Sequence, residues 1–319
     1  MRETLFGNPW SIQVETVEGC NRLCEYCGLN GIRNTPGGLK LMTLETAEIL
    51  AKQCADFIPT KRYEFAMHGE NLLNPDFIKI VKIFRKNLPN AQMQLTTNGI
   101  CIIQNMQQKV EELFDAGLNF IVLDTYYPER DLLHEKVKEL AEITIFDFYK
   151  DIMPFSIWSN NGDRIKKTIV VVDDISVNTG KTRNRVLYNH AGNSKTVPVL
   201  TTPLKQKCTV PFREISVTWN GSVNLCCMDY SSEFTCGNIT EMTLKDIWYS
   251  ENFMAARRIL YNKDRRFTPC SRCNHVGMRI GLLPKFSLPT ESDYEVVRAA
   301  VMNNKWRNSN SKLKEEILF

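Results

Sequence analysis

Four times between Ser11 and Asp124, a strand-like run ends in a polar cluster and gives way to a helical stretch. Ser11–Val17 alternates apolar and polar residues and delivers Cys20, Cys24 and Cys27, before a helix capped by Thr43 and running to about Phe57. Arg62–Met67 ends in His68-Gly69-Glu70, and Pro75 opens the next helix. Ala91–Thr96 ends in Thr97-Asn98-Gly99, followed by a helix over Gln104–Ala116 that stops at Gly117. Asn119–Asp124 is the fourth run. Alternation on this rhythm predicts parallel strands joined by right-handed crossovers. Such folds build their sites at the C-terminal ends of the strands, where these clusters fall. The expected class is therefore α/β, with a full or partial TIM-like barrel.

Beyond Asp131 the pattern is less regular. Leu132–Ala141 reads as a helix, 143–158 mixes helical and strand signals, and Ile169–Asp174 reads as a buried strand. Ser176–Arg185 reads as a loop insertion. Its Gly180-Lys181-Thr182 is no phosphate loop, because Ile175 stands where the motif needs its first glycine. Thr196–Pro203 is a Pro/Thr-rich linker. After it, Glu214–Trp219 and Ser222–Cys226 flank Asn220-Gly221 as strands around a type I′ turn. One helix is expected from Thr243 to Leu260, and another in the charged tail after Ser292.

With 319 residues, 43% hydrophobic and 24% charged, the chain can bury a large core plus a smaller one. A net charge of +4 with no basic recognition motif gives no indication of nucleic acid. No apolar run approaches the roughly 18 residues of a membrane span, so a cytoplasmic protein is expected. In a reducing compartment eleven cysteines argue for metal or cluster ligation, not disulfides. Seven fall into two groups: Cys20, Cys24 and Cys27, then Cys208, Cys226, Cys270 and Cys273. Three thiolates leave one iron of a 4Fe–4S cluster open to a ligand that is not protein. Four thiolates complete a cluster, and on ligand type alone they suit tetrahedral zinc equally well. Cys54 and Cys101 are expected to be buried structural residues. Arg257-Arg258 and Lys263–Arg266 read as solvated faces.

The spacing Cys20-x3-Cys24-x2-Cys27, with Tyr26 before the third cysteine and the two strand-end motifs behind it, resembles the radical S-adenosylmethionine superfamily. The resemblance implies the partial (β/α)6 form of the TIM-like barrel, and that these cysteines hold a 4Fe–4S cluster whose open iron chelates S-adenosylmethionine. It implies that Tyr26 lies against the adenine. His68, Gly69 and Glu70 are then expected to hold the methionine ammonium, and Thr97 and Asn98 to line the cofactor pocket. His68 stands where relatives have glycine, a change that backbone contacts tolerate.

The later cysteines, with the Asn-Gly hairpin, Cys236-Gly237-Asn238-Ile239 and Leu244–Trp248, resemble a twitch domain, the shortened form of SPASM. That implies a second 4Fe–4S cluster on Cys208, Cys226, Cys270 and Cys273, in a small α+β domain following the barrel. The expected division is 1–195 barrel, 196–285 twitch domain and 286–319 helical tail. Tyr188-Asn189-His190-Ala191-Gly192 resembles an asparagine-arginine-x-glycine segment of twitch-bearing dehydrogenases that oxidise an amino-cyclitol alcohol; in them the arginine lies near substrate. Here His190 takes the arginine's place and is the catalytic candidate, able to accept a proton near neutral pH.

The resemblance implies a reaction started by a 5′-deoxyadenosyl radical on a small polar substrate such as a sugar, cyclitol or nucleotide. A C–OH carbon is oxidised, with the auxiliary cluster as electron acceptor and an external flavodoxin- or ferredoxin-type donor. Two alternatives stand beside it. One is peptide modification or epimerisation, with Cys227 or Cys236 returning a hydrogen atom; the lack of a leader-peptide-binding segment before Ser11 counts against the peptide case. The other is a non-catalytic zinc module.

Overall fold

The computed structural model describes residues 7–31, 38–59, 61–147, 167–173, 187–277 and 286–307. In chain order the strands are β1 (Ser11–Val14), β2 (Val17–Glu18), β3 (Lys40–Leu41), β4 (Arg62–Phe65), β5 (Gln92–Thr97), β6 (Phe120–Thr125), β7 (Thr144–Asp147), β8 (Thr168–Asp173), β9 (Glu214–Val217), β10 (Ser222–Asn224) and β11 (Thr235–Asn238). The helices are α1 (Leu44–Phe57), α2 (Phe77–Asn87), α3 (Met106–Ala116), α4 (Arg130–Lys138), α5 (Leu244–Trp248), α6 (Glu251–Tyr261) and α7 (Glu291–Arg307). The loop insertion read over Ser176–Arg185 lies outside the described residues.

Nine strands form one sheet in the order β11-β10-β9-β1-β4-β5-β6-β8-β7. From β9 to β7 every pairing is parallel; β10 and β11 are antiparallel additions at the other edge. This is the expected α/β class with six barrel strands. Two features of the order were not legible in the sequence. The segment of mixed signals after Asp131 enters at the edge as β7, and β8 returns between it and β6. The hairpin strand β9 pairs with β1, Ser11 opposite Glu214 and Val14 opposite Val217, so the later cysteines hang from the barrel sheet itself.

Pleat alternation sorts the strand residues by face. Ile12, Tyr63 and Met93 stand in register, as do Val14, Phe65 and Leu95, and all are buried in the core. Phe65 meets Phe77 and Phe84 of α2 edge-to-face at 5.4 and 5.3 Å, geometry favoured by the ring quadrupoles. The other face carries Gln13, Glu64, Gln94 and Ser216 in register. A polar concave face is what a barrel that holds charged ligands at its mouth requires.

Two local expectations are corrected. The helix expected over Thr243–Leu260 is split in two: Ser250 is an N-cap whose Oγ accepts from the Phe253 amide, so α6 begins afresh after α5. The Asn220-Gly221 turn is not type I′. Gly221 alone has positive φ, 81°, and its amide donates to the Thr218 carbonyl, giving a type I turn with a left-handed glycine after it.

The arginines also depart from the solvated reading. Arg257 is fully buried between the Trp248 and Phe253 rings, its guanidinium 3.8 Å from each, and donates to the Pro211 and Trp248 carbonyls. Arg258 joins α6 to α7 through Asp293. Arg265 is buried as well. Cys54 is buried as expected, whereas Cys101 is half-buried, its thiol accepting from Asn21 at 3.7 Å.

Candidate active site

Gly69 has no space for a side chain. A Cβ there would stand 2.3 Å from the Val17 carbonyl and 2.4 Å from that of Gly19. The close approach lets the Gly19 amide donate to His68 and the Glu70 amide donate to Gly19, zipping the second strand end onto the start of the cysteine loop.

The result is a cavity of about 290 Å³ at the C-terminal ends of the strands. It is lined by Cys20, Cys24 and Cys27, by Tyr26, Gly69, Glu70, Thr97 and Asn98, and by His190. All the candidates read from the first cysteine group are thus brought together, with one exception. The His68 side chain does not line the cavity. It lies behind it, with Nδ1 2.8 Å from Glu15 and Nε2 2.9 Å from the Cys227 carbonyl, so only the His68 backbone remains for a cofactor contact.

Glu70 is held from three sides. Its carboxylate accepts from the Thr97 hydroxyl at 2.8 Å, the Asn98 amide at 2.8 Å and the Leu72 amide at 3.2 Å. Burial still raises its pKa, because these donors offset only part of the desolvation. A cationic ligand group in the cavity would restore the balance. Asn98 also donates to Asn21 at 2.8 Å and approaches the Cys20 sulfur at 3.6 Å, tying the third strand end to the loop. The Tyr230 hydroxyl bonds to Cys27, and the Tyr230 ring packs between those of His68 and His190 at 4.1 and 4.9 Å. A thiolate cluster fits such a loop, open on one side and supplied with donors. Burial, with the nearby histidines His68 and His275, lowers the His190 pKa to about 4, so its ring is neutral at physiological pH. The His190 Nδ1 is buried without a hydrogen-bond partner among the described residues.

A second, smaller cavity is lined by Cys208, Cys226, Cys270 and Cys273. None of the eleven cysteines is in a disulfide. The Met228 and His275 amides donate to the Cys226 and Cys273 sulfurs at 3.2 and 3.3 Å, as bound thiolates require. Burial and mutual repulsion push the Cys226 and Cys270 thiols well above their ordinary range. Four thiolates side by side therefore need a cationic core, and an iron–sulfur cluster fits these residues. Asn189 and Asn274 clamp the two cavities together, each donating its backbone amide to the other's side-chain oxygen at 2.9 and 3.2 Å.

The other cysteines lie elsewhere. Cys227 and Cys236 do not line the first cavity, and Cys236 belongs to the hydrophobic core. Asp124, Tyr126 and Tyr230 do line it and were missed in the sequence. Asp124 closes the fourth strand run and could have been nominated by the strand-end rule; Tyr230 carries no motif.

Comparison with known proteins follows this division. Residues 14–151 match the radical SAM superfamily, and residues 208–274 match SPASM, an iron–sulfur cluster-binding domain. The chain is 24% identical over 289 residues to the S-adenosyl-L-methionine-dependent 2-deoxy-scyllo-inosamine dehydrogenase of Niallia circulans, covering 90% of this chain and 97% of that protein. It is 28% identical over 167 residues to the GTP 3′,8-cyclase of Clostridium perfringens, 52% of this chain and 47% of the cyclase. The crystal structure of BtrN in complex with AdoMet and 2-DOIA has the same fold, with a TM-score of 0.66 at 23% identity over 91% of this chain and 98% of that one. The chain is a radical SAM enzyme that carries an auxiliary-cluster domain of the SPASM/twitch type.

Proposed function

We propose that the enzyme oxidises a C–OH carbon of a small polar substrate of the sugar, cyclitol or nucleotide type, with the first cavity as its reaction site. The observation that carries this reading is the adjacency of the two cysteine-lined cavities, one holding Glu70 and His190 and the other the four thiols of Cys208, Cys226, Cys270 and Cys273. Cys20, Cys24 and Cys27 would hold the cluster that binds S-adenosylmethionine. Cys208, Cys226, Cys270 and Cys273 would hold the auxiliary cluster. The division into residues 1–195, 196–285 and 286–319 belongs to the same proposal.

Reductively cleaved S-adenosylmethionine supplies a 5′-deoxyadenosyl radical that takes a hydrogen atom from substrate. The chain's own groups do the rest. Glu70 would bind the cofactor ammonium and Tyr26 the adenine, while Thr97 and Asn98 fix Glu70. The neutral His190 ring would take the hydroxyl proton as the carbonyl forms. The second cysteine group would hold the centre that accepts the electron. A small one-electron carrier of flavodoxin or ferredoxin type is the external donor, in a reducing compartment such as the cytoplasm. A mild net charge of +4 suits a small, neutral or anionic substrate. The Niallia circulans relative, a 2-deoxy-scyllo-inosamine dehydrogenase, supports the same class. Neither Cys227 nor Cys236 lines the first cavity, so epimerisation lacks the thiol donor expected for it.

The test is anaerobic reconstitution followed by turnover with a panel of cyclitols and sugars deuterated at the alcohol carbon. About eight irons per chain are expected. Deuterium should appear in 5′-deoxyadenosine, with one ketone formed per cofactor cleaved. Solvent deuterium in an otherwise unchanged substrate would replace oxidation by epimerisation.

A further inference from the structure

Arg265 is a buried cation with no ion-pair partner among the described residues. Its side chain is 1% exposed. One terminal nitrogen donates to the His275 carbonyl at 2.8 Å, while Nε and the other terminal nitrogen have no hydrogen-bond partner among the described residues. Unmade donors on a buried guanidinium are costly, and fixed positive charge in an apolar place more so. Arg265 lines the second cavity with Cys208, Cys226, Cys270 and Cys273. The remaining lining is Ala191, Pro211, Leu225, Met228, Pro269 and His275, which includes no carboxylate. Among the described residues, the four thiols are therefore the only groups lining that cavity that can carry negative charge. The His275 amide donates to the Cys273 sulfur while the His275 carbonyl holds Arg265, so one residue orients both charges.

We propose that Arg265 is a positioning residue for the auxiliary cluster, whose cation and unmade N–H donors stabilise the reduced cluster and set it to take the substrate's electron. This rests on the oxidation reading above. In that reaction, hydrogen-atom abstraction leaves a radical on the C–OH carbon. Loss of the hydroxyl proton and of one electron then makes the C=O bond. The electron enters the auxiliary cluster and makes it more negative by one charge, and the external one-electron carrier later removes it. A guanidinium stabilises the more negative state more strongly, which raises the reduction potential.

The experiment is potentiometry followed by electron paramagnetic resonance on the full chain with both clusters reconstituted. The auxiliary cluster is identified as the one whose spectrum S-adenosylmethionine does not change. In Arg265→Met the midpoint should move to more negative potential. At the poise that half-reduces the wild-type cluster, the reduced-to-oxidised ratio should fall about tenfold, the loss expected for a charge-assisted hydrogen bond. Arg265→Lys should fall between the two. An unmoved or more positive midpoint in Arg265→Met overturns the proposal. Should that variant fail to fold, wild-type protein labelled with 15N-arginine keeps the question decidable. A 15N coupling in the reduced auxiliary signal is expected, and its absence rejects the contact. A wild-type chain that takes up zinc in place of a second redox-active cluster sinks the oxidation reading itself, whereas a redox-active cluster indifferent to Arg265 sinks only this inference.

Discussion

His190 and Ala191 are consecutive residues that line different cavities, His190 the first and Ala191 the second. Both sit in the left-handed region, with φ of 48° and 54°. That conformation strains any residue with a side chain and most of all a β-branched one. Ala191 is 1% exposed, so it has no room to relax. Ala191→Val should therefore destabilise the chain by about 2–3 kcal/mol, whereas Ala191→Gly should be neutral or slightly stabilising. Urea unfolding of the two variants against wild type checks this, and iron content should fall only in the valine variant.

His190 makes a separate prediction for chemistry. With a pKa lowered to about 4 by burial and the nearby histidines, the ring is neutral throughout the neutral range. Turnover should show no His190-dependent limb above about pH 5 and should decline as pH falls through about 4. His190→Ala should lower ketone formation by about tenfold or more, in line with loss of a general base. Cofactor cleavage should continue, so the measured ratio of 5′-deoxyadenosine to ketone rises. A ratio unchanged from wild type would remove His190 from the proton path.

His68 and Glu15 form a pair that is 1% and 0% exposed at the side chain. Burial alone would lower the His68 pKa, but the Glu15 carboxylate and the Cys227 carbonyl together raise it above the ordinary histidine value. The stabilisation from the charged pair is then fully present below the unfolded histidine pKa, and it is lost as pH rises through the raised folded one. Removing the ring strands a buried carboxylate. His68→Ala should cost about 3–5 kcal/mol, and adding Glu15→Gln to it should recover much of the loss. Denaturant midpoints of the two variants, compared at pH 6 and pH 9, test both the size and the sign.

Structure was legible in the sequence where chemistry repeats along the chain, and not where it depends on contacts between distant segments. Period and punctuation placed the strand ends at Cys20–Cys27, His68–Glu70 and Thr97–Gly99, because each lies next to its own strand. Nothing local says that β9 pairs with β1, since that pairing joins Ser11 to Glu214 across most of the chain. Charge misled at Arg257 and Arg265: a guanidinium in a helical or loop sequence reads as solvated unless the aromatic rings or thiols that surround it are known. At His68 only the position at the strand end was legible; that Glu15 on one side and the Cys227 carbonyl on the other turn its ring away from the cavity depends on distant segments.

Asp173 gathers the rim of the barrel on the side opposite the auxiliary domain. Its carboxylate accepts from Thr125 at 3.0 Å, from Arg130 at 3.1 Å and from His134 at 2.6 Å, joining the ends of β6 and β8 to the start of α4. The linker so anchored carries Tyr126, which lines the first cavity, and Glu129, which pairs with Arg22 of the cysteine loop. Burial opposes ionisation of Asp173, but Arg130, His134 and Thr125 prevail and lower its pKa to about 2. A depressed carboxylate contributes stability that is present above its unfolded pKa and lost as pH falls through the folded one. Wild-type stability should therefore fall between about pH 4 and pH 2 by an amount that Asp173→Asn abolishes. At pH 7 the asparagine variant should be less stable than wild type, and its S-adenosylmethionine affinity should fall as the Tyr126 linker loosens. Unfolding midpoints at pH 7, 4 and 2.5, with equilibrium binding of S-adenosylmethionine at pH 7, separate the two effects; unchanged binding in a destabilised variant would confine Asp173 to the fold.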